Sequence, residues 1–219
     1  MTDAPRATDR RQLAKLQEPK TARWPRTDRR VVRLTATIAR RQPDLTVVIE
    51  NVHDPHNVSA VLRSCEGVGM LRVHAIYTDE EPPRRSFART TSASAAKWIE
   101  VIHHDSVATC FDRLRTEGFT ILATALTETS VDLYATDLRR PTAIVLGNET
   151  RGVSGEAQHL ADGQISIPMM GMIESLNISV ASAVILYEAL RQRRRDGQYD
   201  APKLASGERE ALIADWLRR

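Results

Sequence analysis

The sequence predicts an α/β fold, a mostly parallel sheet with helices on both faces, and two observations carry that expectation. Short β-branched runs alternate with helical patterns from Leu45 onward, the order of parallel strands joined by helical crossovers. The runs TVVI, TILATAL and TAIVLG are apolar on consecutive positions, as strands buried on both faces must be. At 219 residues, 42% hydrophobic and 27% charged, the chain suits one medium-sized domain with short appendages. No apolar run approaches the roughly 20 residues of a bilayer span, and MTDAPRATDRRQLAK lacks the apolar core of a signal peptide. No membrane and a cytoplasmic location are therefore expected.

The elements follow in order. Residues 1–26 have no period and three prolines, the pattern of a stretch that a partner orders. Residues 27–41 place Val31, Leu34 and Ile38 at helical spacing between a Thr or Asp cap and Pro43, which predicts a short basic helix with Arg29 and Arg33 on one face. Then come strand LTVVIENV, helix HNVSAVLRSCEGVG, strand LRVHAIY, a polar stretch, strand KWIEVIHH, helix DSVATCFDRLRTEG and strand FTILATAL. Strand TAIVLGNE, helix SGEAQHLAD, strand QISIPM and a long helix from about Ser175 to Arg195 complete the body. In GEREALIADWLRR, Leu212, Trp216 and Leu217 form the stripe of a closing helix that packs on the body or on a second copy. The division expected is a basic extension (1–43), a catalytic body (44–195) and a C-terminal extension (196–219).

Charge is distributed unevenly over these parts. Lys and Arg against Asp and Glu number 12 to 4 in residues 1–43, 11 to 19 in 44–189 and 8 to 5 in 190–219. An acidic body with basic ends suits a core whose termini meet a polyanion, nucleic acid first.

Several chemistries lack their signatures. There is no GxxxxGK[ST], HExxH or GxSxG, which removes the usual marks of ATP hydrolysis, zinc proteolysis and serine hydrolysis. Gly67-Val68-Gly69 ends a predicted helix, whereas a dinucleotide loop runs from strand through glycines to helix, so it reads as a helix stop. His53 and His56 flank Asp54 without a third histidine or CxxC nearby, so they shape a turn in which Pro55 fixes the backbone and His56 or Asn57 starts the next helix; no metal is expected. Cys65 and Cys110 have no redox spacing and read as buried or idle thiols.

Three segments carry the chemistry. Asn57 and Arg63 lie six residues apart at the start of a helix after a strand, close enough to face one pocket edge. Residues 146–154, LGNETRGVS, close a buried strand with two glycines around Glu149, and polar groups at the C-terminal end of a parallel strand sit where α/β sheets bind ligands. Residues 167–181, IPMMGMIESLNISVA, form an apolar loop feeding a helix. Singly, these residues could be a cap, a surface arginine and a turn carboxylate; their joint occurrence in this order points to a site.

These segments resemble the three motifs of the SpoU-type RNA 2′-O-methyltransferases of the SPOUT superfamily: NxxAxxR at Asn57–Arg63, LGxExxGVS at Leu146–Ser154 and IPMxGxxxSLNxSVAxA at Ile167–Ala183. The flanks RQPDLTVVIENVHDPHN and YDAPKLASGEREALIADWLRR look like those of the TrmH branch, which methylates guanosine 18 in the D-loop of tRNA. The resemblance implies a deep C-terminal trefoil knot, S-adenosylmethionine as cofactor, tRNA as partner and a homodimer. It places the cofactor against Thr124, Gly147, Asn148, Glu149, Thr150, Arg151, Ile167 and Leu176. It makes Arg63 the catalytic residue, supported by Asn57, Glu149 and Asn177. In the family proposal this arginine removes the 2′-hydroxyl proton. A guanidinium is a poor proton acceptor, so Arg63 could instead hold a phosphate and stabilise charge developing on the oxygen.

The helix carrying Leu176, Val180, Val184 and Tyr187 is the expected dimer element. RNA contact is expected at Arg29, Arg30, Arg33, Arg40, Arg41, Arg191, Arg193, Arg194 and Arg195, which supply charge for phosphates. Ribosomal RNA as substrate and a non-catalytic RNA-binding knot protein are the alternatives.

Overall fold

In the computed structural model, which describes residues 28–78 and 95–219, parallel strands form the frame that both helical layers cover. The strands are β1 (Leu45–Glu50), β2 (Arg72–Ile76), β3 (Glu100–His104), β4 (Thr120–Thr124), β5 (Val131–Asp132), β6 (Thr142–Leu146) and β7 (Gly163–Ser166). The helices are α1 (Asp28–Ile38), α2 (Pro55–Gly67), α3 (Val107–Thr116), α4 (Gly155–Leu160), α5 (Ile178–Arg195) and α6 (Ser206–Trp216). The described residues form one seven-stranded sheet in the order β3-β2-β1-β6-β4-β7-β5, every pairing parallel. The two-residue β5 was not anticipated, because a pairing so short leaves no periodicity to read.

Alternation along the central strands explains the two layers. Val47 and Ile49 of β1, with Ile144 and Leu146 of β6, meet Val58, Val61 and Leu62 of α2 and Ile185, Leu186 and Ala189 of α5. Val48 of β1 and Ala143 and Val145 of β6 point the other way, to Phe111 and Leu114 of α3 and Ala157 of α4. Both faces of β1 and β6 are buried, which is why their sequences read as continuous apolar runs.

The helix ends follow local chemistry. Helix α2 starts at Pro55, with the Asp54 carboxylate accepting the His56 N–H at 2.8 Å, so Asp54 is the cap rather than His56 or Asn57. It stops at Gly67, with Val68 as cap and Gly69 at φ 87°, where only a glycine is unstrained. Helix α5 begins at Ile178, three residues later than expected, because the Asn177 side chain caps it.

The two ends of the chain meet. Leu34 and Ile38 of α1 pack against Trp216 and Leu217, with Trp98 beneath at a ring separation of 4.8 Å from Trp216. The expected role of residues 1–26 lies outside the described residues, as does most of the polar stretch before β3. Among the described residues no helix is long and apolar enough to cross a membrane.

Candidate active site

The strand order changes direction between β1 and β6, and the loops leaving the C-terminal ends of these neighbours meet over that junction. A crevice at such a point is where open α/β sheets hold ligands.

The first loop is fixed by Glu50 and Asn51. Asn51 takes a left-handed conformation, φ 51°, which asparagine tolerates better than other side-chain-bearing residues. Its side chain clasps Thr78, donating to Oγ1 at 3.1 Å and accepting from the backbone N–H at 2.9 Å. Its carbonyl accepts the Asn148 side-chain amide at 2.9 Å. The buried Glu50 carboxylate accepts the Ser154 N–H at 2.9 Å.

Residues 147–154 are thereby closed into a tight turn. Asn148 Oδ1 accepts the N–H groups of Thr150 and Arg151 at 2.9 and 3.2 Å, and Asn148 exchanges backbone hydrogen bonds with Gly152. A Cβ at Gly147 would lie 2.1 Å from the Gly152 and Val153 backbone, so no other residue fits there. Across the crevice, within the first turn of α2, the buried Asn57 donates its side-chain amide to Glu149 Oε1 at 3.0 Å. The first and second motifs are joined through this bond.

Arg63 lies farther along α2 with an exposed side chain that makes no hydrogen bond or ion pair among the described residues. Asn57 is engaged with Glu149 and does not bond Arg63. Asn148 and Glu50 fasten the turn. Thr124, at the end of β4, donates its hydroxyl to the Val145 carbonyl at 2.9 Å. Ile167, with Leu126, Ser166, Met169, Ile173 and Glu174, lines a cleft of about 340 Å³ where the third motif leaves β7. Leu176 is half-buried just before α5, and Asn177 Oδ1 accepts the Ser179 N–H at 2.8 Å. Glu50, Asn51 and Thr78 were missed by sequence reasoning. An acid and an amide ending the run VVIEN were the available signal for the first two.

The structure divides the expected RNA-facing arginines. Arg29, Arg30, Arg33, Arg40, Arg194 and Arg195 are exposed. Arg191 is exposed and pairs with Glu188 at 2.7 Å; with Arg195, Arg139 and Tyr134 it lines a cleft of about 390 Å³. Arg41 and Arg193 must be withdrawn as phosphate contacts. The Arg41 side chain is fully buried, bonded to Glu66 at 3.0 Å and the Met70 carbonyl at 2.8 Å, and stacked over Trp216. Burial lowers its pKa against the opposing pull of Glu66. Arg193, also fully buried, bonds Asp44 at 2.7 Å and the carbonyls of Leu138 and Arg140. Both were drawn into interior anchors because a guanidinium can satisfy several carbonyls at once.

Residues 44–187 match the SpoU rRNA Methylase family. The chain belongs to that family. Among its SpoU relatives, the tRNA (guanosine(18)-2'-O)-methyltransferase of Thermus thermophilus is 47% identical over 194 residues, 89% of this chain and 98% of that enzyme. The 23S rRNA (guanosine-2'-O-)-methyltransferase RlmB of Xanthomonas axonopodis pv. citri is 40% identical over 149 residues, 68% of this chain and 59% of that protein. The TrmH/SpoU tRNA modifying enzyme of A. aeolicus superposes with a TM-score of 0.80 at 36% identity, covering 87% of this chain and 96% of that one. The SpoU methyltransferase AviRb of Streptomyces viridochromogenes, solved with AdoMet, superposes at 0.63 with 26% identity, covering 72% and 64%. In this SpoU chain the first two motifs meet at the β1/β6 crevice, and the third supplies an apolar cleft and the cap of α5.

Proposed function

We propose that this protein transfers a methyl group from S-adenosylmethionine to the ribose 2′-hydroxyl of guanosine 18 in the D-loop of tRNA. The observation that carries this reading is the likeness to the Thermus enzyme over 98% of that enzyme, whereas the likeness to the ribosomal-RNA enzyme RlmB covers 59% of that protein.

The residues present fit the methyl donor. A cleft of about 340 Å³ walled by Leu126 and Ile167 suits a nucleoside face, and the 147–154 turn presents polar groups at the C-terminal end of β6, on the same parallel sheet. Thr124, Gly147, Asn148, Glu149, Thr150, Arg151, Ile167 and Leu176 are the residues assigned to hold it. The donor supplies a methyl group on a positively charged sulfur, already electrophilic, so the transfer needs no metal.

The chain's own groups position the acceptor. Arg63, with no partner among the described residues, binds the phosphate next to the target ribose and stabilises negative charge developing on the 2′-oxygen. Asn57 and Glu149 hold each other and so fix the two sides of the crevice. Asn177 spends its carbonyl oxygen on capping α5, which leaves its amide NH₂ as the group that faces substrate.

A trefoil knot accounts for the path of the chain. After β7 it returns to α5, which packs with α2 on the sheet face beneath β1 and β6. Gln192 of α5 meets the Thr136 carbonyl and the Leu138 N–H in the segment between β5 and β6. Residues 44–195 form the knotted catalytic body, and 1–43 with 196–219 the tRNA-binding extensions. Exposed Val180 and Tyr187 on α5, with Met170 and Met172 before it, support a homodimer. A tRNA substrate puts the enzyme in the cytoplasm.

The test is incubation with unmodified tRNA transcripts and labelled S-adenosylmethionine, followed by mapping of 2′-O-methyl positions. Methylation at guanosine 18 is expected. Methylation of ribosomal RNA alone, or no transfer to any RNA, would overturn the reading.

A further inference from the structure

The face of the sheet under α3 carries a second group of chemistry-bearing side chains, outside all three motifs. In the β2/β3 register His74 pairs with Ile102 and Ile76 with His104, so alternation puts both histidines on one face. His74 is buried and His104 half-buried. Their rings stack with centroids 5.1 Å apart and planes 20° apart, and His74 Nδ1 lies 2.8 Å from His104 Nε2. Helix α3 lays the fully buried Cys110 over the pair, and the thiol sulfur and one nitrogen of each ring all lie within 4.8 Å of one another.

We propose that His74, His104 and Cys110 form a zinc site that ties the edge strand β3 to β2 and α3. Two imidazoles and a thiolate suit a borderline-soft ion, whereas magnesium and calcium take oxygen donors. Zinc bonds of about 2.0 Å to nitrogen and about 2.3 Å to sulfur put tetrahedral donors roughly 3.3–3.7 Å apart. The longest donor separation, no more than 4.8 Å, therefore contracts by about 1.3 Å at most, while the facing ring nitrogens, 2.8 Å apart, spread by about 0.5 Å. All three donors ride on strands or a helix, which hold them near that geometry. Water fills the fourth position from the half-buried His104 side.

The charge changes are local. On binding, the thiol gives its proton to solvent, and the hydrogen between the rings moves to the far nitrogen of its own ring, leaving both imidazoles neutral. The ion and the lost proton together add one positive charge. Arg72 and Arg113 stand nearby, but Glu117 bridges both at 3.1 and 3.0 Å and Asp105 follows His104, so the surroundings are close to balanced. No sequence spacing announces the site, because His74 and His104 lie thirty residues apart and meet only through strand pairing.

The test uses the full-length protein stripped with a chelator, then titrated with Zn²⁺ by calorimetry and with Co²⁺ by absorption spectroscopy. One ion per chain is expected, with a thiolate-to-cobalt charge-transfer band. Cys110→Ser, nearly isosteric, should abolish that band while circular dichroism stays unchanged. His104→Gln, at a half-buried position, removes a ligand and should weaken zinc binding by more than the roughly 10- to 100-fold that losing an outer-shell partner costs. Absence of stoichiometric binding, or a cobalt spectrum indifferent to Cys110→Ser, would overturn the proposal and leave a hydrogen-bonded histidine pair beside a packing thiol.

Discussion

The Asn57 amide donates to Glu149 Oε1 at 3.0 Å, joining residues 92 positions apart across the mouth of the β1/β6 crevice. A hydrogen bond to a charged partner contributes about 1.5–3 kcal/mol. Asn57→Ala should therefore lower kcat/KM for methyl transfer by about 10- to 100-fold. Glu149→Gln keeps an acceptor and should lose less, whereas Asn57→Asp opposes two carboxylates and should lose more. Steady-state kinetics on a tRNA transcript rank the three; equal losses would mean that the pair does not act as a unit.

Glu50 fastens the 147–154 turn from beneath. Its buried carboxylate accepts the Ser154 N–H at 2.9 Å, and Ser154 in turn caps α4. Removing the acceptor leaves a partly buried donor unsatisfied, at a cost of about 1–3 kcal/mol. Glu50→Ala should lower the denaturant midpoint accordingly. It should weaken S-adenosylmethionine binding, measured by equilibrium dialysis, more than tRNA binding.

The sheet was legible in the sequence because β1 and β6 are buried on both faces and leave unbroken apolar runs, whereas β4, read the same way, buries only Ile121 and Ala123. The three motif segments were legible because each sits where a strand ends. Less legible was how a residue is used once the chain folds. Arg41 and Arg193 look like any other members of basic clusters, RR at 40–41 and RRR at 193–195, yet the turn after α1 and the helical phase of α5 point them inward onto carbonyls and carboxylates. Asn51 and Glu50 were hidden for the opposite reason. Their partners, Thr78, Asn148 and Ser154, come from distant segments that only strand pairing brings near.

The Arg193 anchor makes a prediction about acid stability. Burial alone would raise the Asp44 pKa, but the hydrogen bond from Lys203 and the charges of Arg193 and Lys203 outweigh it and hold the carboxyl below its ordinary value. A depressed carboxyl stabilises the fold fully above its unfolded pKa of about 3.9. That contribution is lost as pH falls through the lower, folded-state pKa. Asp44→Asn should thus show a shallower fall in thermal midpoint below about pH 4 than the unaltered protein. At neutral pH, Arg193→Ala should cost about 3–5 kcal/mol, because it leaves the carbonyls of Leu138, Asp44 and Arg140 without their donor and Asp44 with Lys203 alone. Arg194→Ala, at an exposed position, should stay within about 0.5 kcal/mol.

Salt dependence separates arginines that meet RNA from those that hold the protein together. Each phosphate neutralised by a cation steepens the fall of log K with log salt by roughly 0.7–0.9. Arg29 and Arg33 are exposed one turn apart on α1, whose other side is pinned to α6 through Leu34 and Ile38. Arg29→Ala with Arg33→Ala should leave the thermal midpoint unchanged, weaken tRNA binding at low salt and reduce the slope by about 1–2. Arg41→Ala should do the reverse. It removes the bond to Glu66 and the stacking on Trp216, so stability falls while the salt slope of any remaining folded protein stays the same. Filter binding at several salt concentrations, with thermal melts in the same buffers, measures both. A slope that drops for Arg41→Ala but not for the α1 pair would move the RNA contact surface away from α1.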